Sequence, residues 1–365
     1  MKAENSPKIW ERQRWGDWPC LHLCLSQIFG GFLFGWVLAW LVATAPAAEA
    51  SVITLRGLTM GSTWSAKYRP AEQTPEPPAV QRALQARLDD LERQMSTWRA
   101  DSDLMRFNVS DSTNWFPVPR DTAVVVHDAL EVSRLTDGAF DVTVFPLVQL
   151  WGFGPTGRRR GLPGMNEVAA ALARVGWRKL EARLEPPALR KSQPDVAVDL
   201  SAICPGYASD CLGEILAALG VRDFLVDVGG ELKARGDGAI GPGWRVGVER
   251  PGDEKPMLAA TLSLTNQSLA TSGDYRNFFT LAGRRYSHHL DPRTGCPTES
   301  TIASVSVVHA STMRADALGT GLTVLGFEQA WALAQREKLG VLFIVREGTQ
   351  FKVRATEWFP PTKLD

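Results

Sequence analysis

Asp316 and Thr320 are the residues whose types and spacing most clearly allow chemistry. They lie four positions apart in the segment Met-Arg-Ala-Asp-Ala-Leu-Gly-Thr-Gly-Leu (313–322), so a helix would place them on one face. A carboxylate and a hydroxyl on one face can bind a single hard cation, which prefers oxygen ligands. The small residues around them would let a bulky anion approach. By itself, however, the pair is also typical of an ordinary helix with one buried polar pair.

Further polar and glycine-rich segments lie at five junctions between predicted elements, where sites are usually built. These junctions are residues 59–63, 95–108, 138–154, 199–207 and 270–295. Taken singly, each is compatible with a capped turn. Asp199 suits the N-terminal end of a helix, and Pro205 suits a first helical turn.

Predicted helices and strands alternate along the chain, and they must position these junctions. Apolar residues at three- and four-residue spacing from Val80 to Met95 predict an amphipathic helix. Further helices are predicted at 122–135, 207–219, 312–325 and from there to about 338, and strands at 52–55, 63–68, 196–200, 224–228, 244–249, 258–264, 303–309, 340–345 and 351–355. Several neighbouring strands with mixed connections favour an α+β fold over a doubly wound sheet.

Composition supports a globular fold and excludes some partners. The chain has 365 residues, of which 44% are hydrophobic and 22% are charged, which permits one large domain or two modest ones. The formal net charge is zero, so composition gives no reason to expect nucleic acid as a partner. Outside the N-terminal segment only Cys204, Cys211 and Cys296 remain, which matches neither a disulfide framework nor a zinc site. We expect Cys204 and Cys211 to be small buried residues.

Residues 1–50 are predicted to be an export signal or an N-terminal membrane anchor, and residues 51–365 a single folded domain. An apolar run at about 28–43 is followed by Ala48-Glu-Ala50, which matches a small-residue cleavage site. The rival interpretation is an uncleaved anchor, since the run counted from Leu21 is long enough to span a bilayer. In either case we expect this domain in the periplasm, released or anchored to the inner membrane.

Taken together and in order, the junctions resemble the FAD:protein FMN transferase family, usually called ApbE. The resemblance covers residues 51–356. Because several long motifs occur in the family's order, we do not expect the match to arise by chance. The motifs are T-M-G-S-T (59–63), M-S-T-W with D-S-D-L-M-R-F-N (95–108), G-A-F-D with P-L-V-Q-L-W-G-F-G (138–154), D-L-S-A-I-C-P-G-Y (199–207), A-T-S-G-D-Y-R (270–276), S-H-H-L-D-P-R-T-G (287–295) and A-D-A-L-G-T (315–320). The resemblance implies an ApbE-like, T-fold-like arrangement in which mixed sheets pack with helices in one compact catalytic unit.

The resemblance implies a specific reaction. Family members bind FAD as substrate with Mg²⁺ on its pyrophosphate, transfer the FMN half to a Thr or Ser hydroxyl of an acceptor flavoprotein, and release AMP. By motif, Asp316 and Thr320 are the expected Mg²⁺ ligands together with the backbone carbonyl of Ala202, in agreement with the spacing argument. His288 is the expected base for the acceptor hydroxyl because its ordinary pKa suits that role. The alternative for His288 is a turn residue that bonds Asp291.

Carried over by motif, the expected FAD contacts are Met60, Trp98, Ala139, Phe140, Asp141, Asp199, Pro205 and Leu290. Trp98 stands where the family more often has Tyr, so it keeps a flat stacking surface and loses the phenol hydroxyl. Pro205 stands where the family usually has Lys and offers neither a charge nor a backbone N–H. We therefore expect weaker pyrophosphate binding at Pro205.

Acceptors in the family include subunits of membrane respiratory complexes, and one exported branch serves nitrous-oxide respiration. The sequence does not select among them. Two alternatives stay open at this point. One is an FAD pyrophosphatase, in which water replaces the acceptor hydroxyl, and the other is a non-catalytic periplasmic FAD carrier.

Overall fold

The computed structural model describes residues 52–157, 161–252, 257–275, 277–348 and 350–364. The predicted export segment, the basic residues Arg158–Arg160 and Arg276 lie outside the described residues. Among the residues that are described, no helix is both long and apolar enough to cross a membrane.

The described chain contains eight α-helices and many short strands. The helices are α1 (Pro77–Met95), α2 (Asp103–Val109), α3 (Arg120–Leu135), α4 (Phe145–Trp151), α5 (Met165–Leu172), α6 (Cys204–Ala218), α7 (Thr312–Leu325) and α8 (Phe327–Arg336). The strands are β1 (Ile53–Thr59), β2 (Ser62–Tyr68), β3 (Phe116–Pro117), β4 (Leu180–Leu184), β5 (Pro187–Lys191), β6 (Phe224–Val228), β7 (Glu231–Arg235), β8 (Trp244–Glu249), β9 (Leu258–Leu264), β10 (Ser268–Gly273), β11 (Phe278–Leu281), β12 (Arg284–Ser287), β13 (Leu290–Asp291), β14 (Cys296–Pro297), β15 (Ile302–His309), β16 (Gly340–Glu347), β17 (Gln350–Ala355) and β18 (Thr362–Leu364). Single 3₁₀ turns lie at Val142–Val144 and Trp177–Lys179.

An eight-stranded antiparallel sheet forms the centre of the fold, in the order β1-β2-β6-β7-β10-β15-β16-β17. Smaller antiparallel sheets are β18-β9-β8, β3-β5-β4 and the pairs β11-β12 and β13-β14. Consecutive side chains of a strand point to opposite faces, so the strands β6, β10, β15 and β16 of the large sheet contribute to two cores. In β6, Val226 and Val228 belong to the core under the helices, whereas Leu225 belongs to the core against β8 and β9.

Helix α1 illustrates how the pattern of apolar residues in the sequence determines a helix. Its apolar side chains recur at helical spacing, and Leu84, Leu88 and Leu91 are fully buried. Burying each such side chain contributes roughly 1.5–3 kcal/mol. The helix begins with prolines in its first turn, where a backbone N–H would have no acceptor within the helix, so that its absence costs no hydrogen bond.

Most of the predicted elements are present. The helix at Thr312–Leu325 and the strands Trp244–Glu249 and Leu258–Leu264 are confirmed with the expected bounds. Cys204 and Cys211 are buried, as expected, whereas Cys296 is exposed.

The predicted strand at 196–200 is wrong. The backbone of Val198 pairs with a side chain instead of a strand, because its N–H donates to Oδ1 of Asn108 and its carbonyl accepts from Nδ2, both at 2.8 Å. The helix predicted to start at Tyr207 begins earlier, at Cys204, because Pro205 fits the first turn. The short helices α2, α4 and α5 and the strands β4, β5, β7, β10, β11 and β12 were not predicted.

Candidate functional site

A cavity of about 370 Å³ lies where several of these elements meet. It brings together eleven of the twelve residues that the sequence singles out: Trp98, Ala139, Phe140, Asp141, Asp199, Ala202, Pro205, His288, Leu290, Asp316 and Thr320. Met60 is the exception, since it does not line this cavity. It occupies the turn between β1 and β2, where its N–H donates to Glu92.

Asp316 and Thr320 lie on α7 and both face the cavity. Asp316 is almost fully buried, and its Oδ2 accepts a hydrogen bond from the N–H of Gly206 at 3.0 Å. Burial raises the pKa of Asp316 to about 7, and the Gly206 hydrogen bond opposes that rise. The Thr320 hydroxyl lies 3.4 Å from the Ser272 hydroxyl on β10. The expected metal pair is therefore assembled on one helix face.

Two glycines let neighbouring elements approach α7. A Cβ at Gly206 would lie 2.5 Å from the carbonyl oxygen of Thr312 and 2.8 Å from Cβ of Asp316. A Cβ at Gly319 would lie 2.8 Å from Oγ of Ser272. At Gly206 the nearest atom belongs to the backbone, so only glycine permits this approach without displacing it. At Gly319 the nearest atom is the hydroxyl of Ser272, whose side chain can rotate away.

Asp210 holds the first turn of α7 in place. Its carboxylate accepts from the N–H groups of Thr312 and Met313 and from the hydroxyls of Ser311 and Thr312, at 2.9–3.1 Å. Lys233 forms an ion pair with the same carboxylate at 3.0 Å. A negative side chain at a helix N-terminus satisfies free N–H groups and interacts favourably with the dipole. Asp210 thereby positions the helix that carries Asp316.

Ala202 is the residue whose backbone carbonyl is the third expected metal ligand. Ala202 precedes α6 and lines the cavity. Outside the helices and strands, no backbone N–H of the described residues donates to its carbonyl oxygen. Pro205 occupies the first turn of the same helix and also lines the cavity, so the departure from the family's usual Lys lies within the site.

The carboxylates of Asp141 and Asp199 lie in the same cavity, and both accept hydrogen bonds from nearby groups of the protein. Asp141 accepts from the N–H and hydroxyl of Thr143, at 2.8 and 2.7 Å, and from the N–H of Trp177 at 2.6 Å. Asp199 accepts from the N–H of Ser201 at 2.8 Å. Burial raises the pKa of both carboxyl groups, while these hydrogen bonds oppose the rise. Both residues therefore fix the backbone of the cavity wall, in addition to any contact with a ligand.

His288 lines the cavity from the end of β12, and its Nδ1 lies 2.9 Å from the carbonyl oxygen of Asn277. A carbonyl can only accept, so Nδ1 carries the proton and Nε2 of the neutral ring holds a free lone pair. Burial lowers the pKa of His288. The alternative partner for His288, Asp291, bonds Arg293 instead.

His289 differs from its neighbour. It is buried, its Nδ1 lies 3.2 Å from the Ser287 hydroxyl, and burial lowers its pKa well below the ordinary value. The two imidazole rings are 4.1 Å apart. His288 is the more accessible of the two and has a defined tautomer, so it is the better candidate for a base.

Aromatic side chains support the hairpin β11–β12 that leads to His288. We call Trp151, Tyr286, Phe279, Phe153 and His288 the aromatic stack. Its successive ring centroids are 6.0, 5.1, 5.6 and 6.4 Å apart. The stack links α4 to the hairpin, and Phe153 packs against the edge of the His288 imidazole.

Trp98 is 67% exposed although it lines the cavity. A large aromatic ring exposed at a cavity is available to stack on a flat ligand.

The oxygen set is compatible with a hard cation. Among the described residues, no three His, Cys, Asp or Glu side chains are grouped as a metal site. The set instead contains one carboxylate, one hydroxyl and one carbonyl, which suits Mg²⁺ because that ion keeps several waters and takes few protein ligands.

Sequence reasoning missed several of these features. The junctions containing Ser272 and Asn277 were recognised, but neither residue was given a role. Asp210 and Gly206 contact α7 across more than 100 positions of sequence, and no local pattern signals such a contact. Phe153 was part of a motif, yet only the fold shows that it packs against His288.

The model of the ApbE family matches residues 60–343. The chain belongs to the ApbE family. A curated relative from Salmonella typhimurium, named FAD:protein FMN transferase, is 39% identical over 94% of this chain and 95% of its own length. A relative of the same name from Vibrio cholerae is 38% identical over 88% of this chain and 98% of its own length.

Solved structures show the same fold. The flavin transferase ApbE from Vibrio cholerae matches with a TM-score of 0.80 at 38% identity, over 85% of this chain and 98% of its own. The apo form of Pseudomonas stutzeri flavinyl transferase ApbE matches with a TM-score of 0.78 at 40% identity, over 84% and 95%. The predicted α+β fold of ApbE type is therefore confirmed.

Proposed function

We propose that this chain transfers the FMN half of FAD to a Thr or Ser hydroxyl of an acceptor flavoprotein, with AMP as the leaving group. One observation carries the proposal: a single cavity gathers the oxygen set of Asp316, Thr320 and Ala202 together with His288. The name of the relatives, FAD:protein FMN transferase, supports the same reaction.

Charge in the cavity supports a role for Mg²⁺. Four carboxylate residues line it, namely Asp141, Asp199, Glu231 and Asp316, whereas none of its lining residues within the described ranges is Lys or Arg. A pyrophosphate would be repelled there unless a cation accompanied it. Mg²⁺ bound by Asp316, Thr320 and the Ala202 carbonyl would neutralise the pyrophosphate and the charge that develops on AMP.

The chain's own residues supply alignment and a base. His288 accepts the proton of the acceptor hydroxyl at Nε2, since Nδ1 is held by Asn277. The acceptor oxygen then forms a bond to the FMN phosphorus while the bond between that phosphorus and the AMP oxygen breaks. Because burial lowers the pKa of His288, the ring is neutral and able to accept a proton near pH 7.

The flavin end is apolar. Phe140 and Leu290 are buried in the cavity wall, and the exposed ring of Trp98 offers a stacking surface for the isoalloxazine. Pro205 provides no charge for the pyrophosphate, so binding of FAD depends more strongly on the metal than it would with Lys at this position. Met60 stays a proposed FAD contact that would require a ligand reaching beyond the cavity.

Residues 1–50 direct export in this proposal, either as a signal cleaved after Ala50 or as an inner-membrane anchor. The domain at 51–365 then meets its acceptor in the periplasm. The acceptor is a flavoprotein subunit or regulator of a membrane respiratory complex, and the branch serving nitrous-oxide respiration is one candidate.

The decisive experiment combines the purified full chain with FAD, Mg²⁺ and a periplasmic flavoprotein domain that carries a Thr acceptor site. Mass spectrometry should find one FMN added to that Thr, and EDTA should prevent the addition. The matched control is the same domain with the acceptor Thr changed to Ala. Release of FMN and AMP without an adduct would instead identify a pyrophosphatase, and bound FAD without turnover would identify a carrier.

A further inference from the structure

Lys191 is a fully buried lysine outside the cavity. It ends β5, and its side chain has no exposed surface. Its ammonium donates to the carbonyl oxygens of Phe107, Asn108 and Val196, each at 3.2 Å. An ammonium has three N–H donors, so all of its donors are used. Burying a charge is costly unless it is satisfied in this way.

Two of the three acceptors lie in the last turn of α2. Carbonyl groups at the C-terminus of a helix lack partners within the helix, and a cation is favourable there. The third acceptor, Val196, begins the irregular segment that runs to α6. The ammonium of Lys191 therefore joins α2, β5 and this segment at one point.

Asn108 fixes the same segment two residues later. Its side-chain amide bonds both the N–H and the carbonyl of Val198, as a neighbouring strand would. The next N–H, that of Asp199, donates to the carbonyl of Val142 at 2.8 Å. Residues 196–199 are thus anchored at three points although they belong to no sheet.

The anchored segment leads directly into the cavity wall. Asp199 lines the cavity, and Leu200 then accepts from the N–H groups of Ile203 and Cys204, at 3.2 and 2.8 Å, which closes a tight turn around Ala202. Only two residues, Leu200 and Ser201, separate the last anchor, at Asp199, from Ala202. A displacement at Val196 would therefore move the carbonyl as well.

We propose that Lys191 is a positioning residue, which acts with Asn108 through the segment 196–203 to hold the Asp199 side chain and the Ala202 carbonyl toward bound FAD and its metal. The inference rests on the proposed function for the identity of the ligand. An alkyl side chain could fill the space of Lys191, but it could not hold three carbonyl groups in one arrangement.

The test compares FAD affinity in variants of the full chain. Lys191→Met keeps an unbranched side chain, one heavy atom shorter, and removes the donors. Lys67→Met, on the exposed face of β2, is the matched control. FAD binding is measured by quenching of flavin fluorescence, with Mg²⁺ and with EDTA, well below the unfolding midpoint of each protein. We expect the dissociation constant for FAD with Mg²⁺ to rise about tenfold or more in Lys191→Met, as for other residues that orient ligand-binding groups. It should not change in Lys67→Met.

A variant that is destabilised elsewhere separates positioning from stability. Leu262→Ala opens the core between the large sheet and β9, away from the cavity, and should lower the unfolding midpoint without changing FAD affinity. Asn108→Ala removes the side-chain clamp and keeps the backbone carbonyl that Lys191 uses. It should weaken FAD binding as well, and the double variant should bind no more weakly than the worse single variant, because both act through one segment.

The outcomes distinguish this inference from the proposed function. If the unaltered chain binds no FAD in Mg²⁺, the proposed function fails. If the unaltered chain binds FAD and both Lys191→Met and Asn108→Ala bind it within twofold of that affinity, the positioning role is overturned. If Lys191→Met does not fold, Asn108→Ala answers the same question.

Discussion

Replacing Asp316 with Asn is predicted to stabilise the metal-free protein at alkaline pH and to abolish its response to Mg²⁺. Burial raises the pKa of the Asp316 carboxyl from 3.8 to about 7. At about 1.4 kcal/mol for each pH unit between the two values, ionising this group costs the folded state roughly 4 kcal/mol. Asn cannot ionise, yet it keeps an oxygen for the N–H of Gly206.

The sign of the pH dependence follows from proton binding. Between about pH 4 and pH 7 the folded protein retains a proton that the unfolded chain has released, so the free energy of unfolding falls as the pH rises. The Asp316→Asn variant lacks this loss. Its advantage over the unaltered protein should therefore grow from about 1–2 kcal/mol at pH 5 to roughly 4 kcal/mol at pH 8.

Urea unfolding in EDTA at pH 5 and pH 8 measures that advantage, and the exposed Asp89→Asn variant is the control. Repeating the pH 8 measurement with Mg²⁺ and FAD should stabilise the unaltered protein and leave Asp316→Asn unchanged. An advantage at pH 8 no greater than that at pH 5 would refute the raised pKa. Equal stabilisation of both proteins by Mg²⁺ and FAD would refute the role of Asp316 as a ligand.

Four further predictions concern the rest of the site. His288→Asn should lower the rate of FMN transfer about 10²–10⁴-fold with little change in FAD affinity, as measured by single-turnover kinetics, and equal losses in both would argue against a base. The lowered pKa of His288 also predicts that the acid limb of the rate profile lies below pH 6.5, whereas a limb above that value would contradict it. Trp98→Ala should weaken FAD binding by about 0.5–1.5 kcal/mol in fluorescence titrations and leave the unfolding midpoint unchanged, because the ring is largely exposed. Gly206→Ala should cost about 1–3 kcal/mol of stability in urea unfolding and weaken the Mg²⁺ response, since the added methyl group would displace Thr312 and Asp316; a neutral result would show that the two helices can separate.

Long periodic elements were predictable because their own residues determine them. The bounds of α7 follow from a Ser at its N-terminus, whose hydroxyl accepts from the N–H of Arg314, and a Gly at its C-terminus. Strands β8 and β9 were predicted with their observed bounds for the same reason. In these elements, local patterns and tertiary packing favour the same structure.

Secondary structure was predicted wrongly where side chains distant in sequence form the hydrogen bonds of the backbone. The segment 196–200 has the apolar composition of a strand, but the amide of Asn108, ninety positions away, takes the hydrogen bonds that a strand would use. The site shows the same limit. Motifs named Asp316 and Thr320, whereas the contributions of Gly206 and Asp210 depend on how two helices pack.

The two ends of the cavity belong to parts of the fold with different connections. Helix α7 packs against α3, α6 and the large sheet, whereas the hairpin β11–β12 before His288 pairs, within the described chain, only with itself. The outer side chains of the hairpin, such as Phe278 and Leu281, are partly exposed. The outward residues of the hairpin can therefore be changed without altering the pairing of the large sheet, whereas its inward rings, Phe279 and Tyr286, belong to the aromatic stack beside His288.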